Sequence, residues 1–125
     1  AIHTSFDQPR DEITARMISA IENPLVDIIG HPSGRLINER EACDLDWTKV
    51  FAAAKKHDKI LEINSHPTRL DLADHLVHDA IRAGIDLSRI HELTYYDPWF
   101  LDQINEIISI EKEFIFGFPK SLVTI

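Results

Sequence analysis

Residues 25–35, LVDIIGHPSGR, and residues 59–72, KILEINSHPTRLDL, decide the reading of this chain. Each begins with a short branched apolar run, Leu25–Ile29 and Ile60–Ile63, and each runs into a loop built from His, Pro and other turn formers. Between them, Trp47, Val50, Phe51 and Ala54 fall at i, i+3, i+4 and i+7, the apolar face of a helix that either Asp44 or Asp46 caps. Two strands flanking one helix predict a parallel pair with a right-handed crossover.

The same alternation extends outward. Ahead of Leu25, Ile13, Met17, Ile18 and Ile21 recur at helical spacing in a helix opened by Asp7 or Pro9 and stopped by Asn23-Pro24. Ala1–Ser5 reads as a strand end. Beyond Ile63, Asp71 is expected to cap a helix with Leu72, Leu76, Val77, Ala80 and Ile81 on one face, and Gly84 stands where a left-handed C-cap belongs.

After Gly84 the alternation breaks. Asp86 is positioned to cap a short helix through Thr94. Asp97-Pro98 then supplies an N-cap and a Pro at the first helical position. Phe100, Ile104, Ile107 and Ile108 line one face as far as Glu113, and the end, FIFGFPKSLVTI, is apolar and β-prone. The expectation is an α/β fold of about three parallel strands with crossover helices, followed by a C-terminal helical hairpin. Residues 1–125 read as one domain, divided into 1–83, 84–113 and an unassigned tail at 114–125.

The chain has 125 residues, 44% of them hydrophobic, which suits one small domain with a real core. A net charge of -8 repels phosphate backbones and argues against charge-driven binding of nucleic acid. The single cysteine, Cys43, allows no internal disulfide, which suits a reducing cytosol and a cytoplasmic protein. No apolar run reaches the roughly 20 residues of a membrane helix, and nothing at the start resembles a signal peptide. The chain opens without Met in what reads as mid-strand, as an excerpt of a larger protein would.

His3 and His31 each follow a strand, at the end of the sheet where α/β active sites lie. Imidazoles held there by Pro and Gly suit zinc or manganese, although loop histidines commonly just bond backbone. Glu62, Asn64 and His66 alternate toward the same rim, and Arg35 and Arg69 follow the two loops as phosphate-binding candidates. His75 and His78 sit at i, i+3 on one helix. His57 and His91 have no partner in sequence, and Trp99 reads as core. No catalytic residue stands out.

The phrases IHTSF, RMISAIENPLVDIIGHPSGRLI and DWTKVFAAAKKHDKILEINSHPTRLDL resemble the PHP (polymerase and histidinol phosphatase) domain attached to family X DNA polymerases, over residues 1–78. That resemblance implies a distorted seven-stranded β/α barrel whose multinuclear metal site hydrolyses phosphoesters, with residues 1–83 as a partial β/α barrel within a chimeric domain. It maps His3 onto a middle-strand ligand and His31 onto the ligand of the GHP-like loop. The other family ligands have no counterpart here.

The phrase DAIRAGIDLSRIHELTYYDPWFLDQINEIISIEKE, from Asp79 to Glu113, resembles the helical oligomerisation domain of the carbamoyl phosphate synthetase large subunit, and implies helices that pack on other helices. Both families share a helix ending in Gly and an apolar residue, so a crossover within Asp71–Gly84 keeps the helix in phase. The sequence therefore predicts a fusion of enzyme fragments, without catalysis, that covers its strand edges by forming a homodimer. The alternative is a working metal-dependent phosphoesterase of the PHP class.

Overall fold

A computed structural model describes residues 8–64, 66–86 and 98–117. The elements run α1 (Arg10–Glu22), β1 (Ile28–Ile29), α2 (Trp47–Lys56), β2 (Ile60–Leu61), α3 (Asp74–Arg82) and α4 (Pro98–Gly117). The strands pair in parallel, Ile28 opposite Ile60 and Ile29 opposite Leu61, with α2 as the crossover. This is the expected βαβ unit. The sheet has two strands among the described residues, and these do not form a barrel. The strand expected at Ala1–Ser5 lies outside the described residues, as do the short helix expected after Asp86 and most of the C-terminal tail.

Each element forms for a local reason. The Pro9 carbonyl accepts from the N–H groups of Glu12 and Ile13 and starts α1. Ile13, Met17 and Ile21 are buried along one side of it. Asp46, one of the two candidates, caps α2 by accepting from the backbone N–H of Lys49 at 3.2 Å. The N–H of Asp46 in turn donates to the hydroxyl of buried Thr14, which ties the start of α2 to α1.

The end of α3 is a Schellman motif. Gly84, at φ +87, donates its N–H to Ile81, and Ile85 donates to Ala80. Leu76, Val77, Ala80 and Ile81 are buried as expected, in one cluster with Ile29, Leu61, Val50 and Phe51. Each such large side chain contributes about 1.5–3 kcal/mol by leaving water.

Several expectations are corrected. Leu25 is not in the strand: an Asx turn, with the Leu25 N–H donating to Asn23, turns it into solvent at 89% exposure, and pairing begins at Ile28. Asp71 does not cap α3. It pairs with Asn64 in an isolated antiparallel bridge, and α3 starts at Asp74 behind Ala73, which offers only its carbonyl. In α4, Leu101, Ile104 and Ile108 are buried, whereas Ile107 is 53% exposed. Trp99, read as core, is 66% exposed. Helix α4 also continues past Glu113 to Gly117, so residues 114–117 are helical rather than extended.

Candidate functional site

The two loops leaving the parallel strands meet at one rim. Glu62, the first residue after β2, reaches back across the pair. Its Oε2 accepts from the His31 backbone N–H at 2.8 Å and lies 3.0 Å from His31 Nδ1. Asn64 Nδ2 lies 3.3 Å from Glu62 Oε1 and 3.3 Å from the same imidazole nitrogen. A carboxylate accepts only and an amide nitrogen donates only, so the shorter Glu62 contact places the proton on Nδ1, and Asn64 Nδ2 then donates to Glu62 rather than to the ring. That tautomer leaves the lone pair on Nε2. His31 has a left-handed backbone, φ 48, which its two bonds to Glu62 help to hold.

Around this pair the loops are clasped together. Buried Asp71 accepts from the Ser33 N–H at 2.9 Å. Arg35 donates through Nε to the Arg69 carbonyl at 3.0 Å and through its terminal nitrogen to the Leu70 carbonyl at 2.7 Å. Ile37 N–H donates to the Thr68 carbonyl. Arg40 holds the Gly34 carbonyl with two donors, at 2.9 and 2.8 Å. Thus Arg35, a phosphate-binding candidate by position, works as a clamp on backbone.

His66 turns inward on its own loop, with Nδ1 2.9 Å from Thr68 Oγ1. His75 and His78 do not converge: His75 lies by Asp74, and His78 Nε2 lies 3.3 Å from Glu111 on α4. His57 Nε2 lies 4.0 Å from Glu22. Cys43 is buried in the core. His3 and His91 lie outside the described residues, so the expected approach of His3 to His31 does too. Asp71 and Arg35 were invisible as a clasp from sequence because their partners lie 38 and 34 or 35 residues away.

Among the described residues, no group of three or more His, Cys, Asp or Glu side chains converges as a metal centre. Glu62 is already spent on His31 and Asn64. The donor set present is one imidazole nitrogen, His31 Nε2, and it does not fit a multinuclear cluster.

A βαβ unit with a histidine–carboxylate pair at its rim, carrying a long helix after α3, defines an α/β protein. Residues 37–122 match the family model of the carbamoyl-phosphate synthetase large chain oligomerisation domain, and the chain belongs to that family. It is 51% identical over 84 residues to the carbamoyl phosphate synthase large chain of Xanthomonas campestris, a match covering 67% of this chain and 7% of that protein.

It is also 40% identical over 87 residues to the DNA polymerase/3'-5' exonuclease PolX of Bacillus subtilis, over 70% of this chain and 15% of that protein. A probable phosphatase of Thermoanaerobacter is 40% identical over 68 residues, 52% of this chain and 25% of its own. The chain thus spans a quarter or less of the length of these relatives. Both resemblances read from the sequence are found. The shares of this chain matched by PolX, 70%, and by the synthase, 67%, together exceed its length, so the two matches overlap.

Proposed function

We propose that this chain is a fusion of PHP-like and carbamoyl phosphate synthetase-like parts that folds and self-associates without the parent chemistry. One observation carries it. The rim residues best suited to phosphoester chemistry are engaged in holding the fold: Glu62 binds His31 and Asn64, and Arg35 binds the carbonyls of Arg69 and Leu70. A homodimer is the partner, in keeping with the oligomerisation family to which the chain belongs. No membrane or nucleic-acid partner is proposed, and the cytoplasm suits the lone thiol. No cofactor is required, and a divalent metal, zinc or manganese, binds weakly through His31 and His3.

The test is hydrolysis of bis(p-nitrophenyl) phosphate with added manganese or zinc, beside sedimentation equilibrium. Background turnover and a dimer are expected. Metal-dependent turnover that is lost in His31→Ala would overturn the reading.

That outcome would favour the second reading, a metal-dependent phosphoesterase. Its support is the His31–Glu62 pair, because a carboxylate on one imidazole nitrogen orients the other toward a metal. It also requires further ligands from His3 or from a second subunit.

A further inference from the structure

An open groove of about 840 Å³ runs the length of α2, from Trp47 to Lys56, against the last turn of α3. Trp47 and Phe51, with ring centroids 5.4 Å apart, give it an apolar lining. Lys55, Lys56 and Arg82 stand around it against one acid, Asp79. A net positive patch is unusual on a chain of net charge -8. Part of that charge serves the fold: Lys55 Nζ donates to the Ala83 carbonyl at 3.2 Å, and Arg82 lies 3.5 Å from Glu111. The negative C-terminal end of α3 also lies at the groove, which opposes a small free anion. What the groove fits is an apolar surface with an acidic border.

Helix α4 carries such a surface. Trp99, Ile107 and Ile110 are 66%, 53% and 54% exposed. At 100° per residue they fall within about a quarter turn of one another. The buried residues Leu101, Ile104 and Ile108 lie toward the other side of the helix. Exposed Asp102 and Glu106 border the stripe.

We propose that two copies of the chain pair about a twofold axis, each seating this face of α4 in the α2–α3 groove of the other. The proposal rests on the self-association put forward above and names its surface. Charge selects the occupant: the acids Asp102 and Glu106 beside the exposed apolar stripe of α4 meet the lysines beside the apolar lining of the groove. Twofold symmetry makes the contact twice. This doubling brings a small groove toward the roughly 1,200 Å² that a specific interface buries.

The test is sedimentation equilibrium of the full chain, of Lys56→Glu, of Glu106→Lys, and of an equimolar mixture of the two variants. Both side chains are exposed, and circular dichroism checks that each variant folds. The parent is expected to be dimeric. Each variant should dimerise about tenfold more weakly or worse, because every dimer then holds two like-charge contacts. The mixture should regain dimer, because one contact becomes a reversed charge pair and the other is native.

A parent dimer that neither variant weakens would overturn the groove as the interface and leave self-association standing. Weakened variants that the mixture does not rescue would also overturn it. A parent that stays monomeric at high micromolar concentration would remove the self-association reading as well, with the groove covered within one chain.

Discussion

The backbone N–H of Ser33 donates to the carboxylate of Asp71 at 2.9 Å, joining the loop after β1 to the loop after β2 across 38 residues of sequence. Asp71 is fully buried, and its other oxygen has no hydrogen-bond partner among the described residues. Asp71→Ala would leave a buried donor orphaned, a loss of about 1–3 kcal/mol. Asp71→Asn keeps an acceptor for Ser33 and should cost less. Urea denaturation of both variants checks the order, and equal losses would mean that the bond is not what holds the loops.

Gly84 closes α3 with φ +87, and a Cβ placed there would lie 2.6 Å from Lys55 Nζ. Gly84→Ala is therefore expected to lose about 1–2 kcal/mol for the left-handed backbone, plus the displacement of Lys55. Adding Lys55→Ala should restore only the second part. Thermal unfolding of the single and double variants separates the two. A double variant as stable as the parent would show that the backbone cost is negligible.

Asp46 gives a pH dependence. Its contacts with Lys49, first the ammonium on its carboxylate and then the backbone N–H, hold its pKa below the ordinary value of 3.8. A carboxyl whose folded pKa is depressed contributes stability that is fully present above its unfolded pKa and is lost as pH falls through the folded value. Asp46→Asn should therefore be less stable than the parent at neutral pH. The gap should narrow as the pH drops below 3.8. Melting temperatures across that range test it; a gap that widens on acidification would reverse the assignment.

Metal affinity tests the rim directly. With Nδ1 of His31 held by Glu62, only its Nε2 is left to bind a metal, and useful sites draw on three or four protein ligands. Zinc added to the protein should be removed by dialysis against a chelator, and the weak uptake seen before dialysis should fall in His31→Ala. Stoichiometric retention, abolished in His31→Ala, would mean that His3 or a second subunit completes a site.

The sequence by itself determined the elements whose causes are local. The i, i+3, i+4 stripe of Trp47, Val50, Phe51 and Ala54, a cap narrowed to Asp44 or Asp46, the left-handed Gly84 and the Pro98 start needed no distant partner. Parallel pairing of the runs Leu25–Ile29 and Ile60–Ile63 followed from their separation by a helix, while the paired residues, Ile28–Ile29 with Ile60–Leu61, came from the structure. The phrases that resemble two enzyme families were also legible as sequence.

Tertiary structure alone decided the rest. Asp71 and Asp46 are both aspartates ahead of a helix, yet one caps and the other is buried beneath a loop, because the acceptor for Ser33 must come from across the strand pair. Arg35 reads as a phosphate ligand until the carbonyls of Arg69 and Leu70 are brought to it. Ile107 and Ile108 are identical in type and adjacent in sequence, and only the placement of α4 beside α3 buries one and exposes the other. Periodicity reports where a side chain lies around its own helix. Which side of that helix meets a neighbour, and which polar group finds a partner, depends on contacts between residues far apart in the chain.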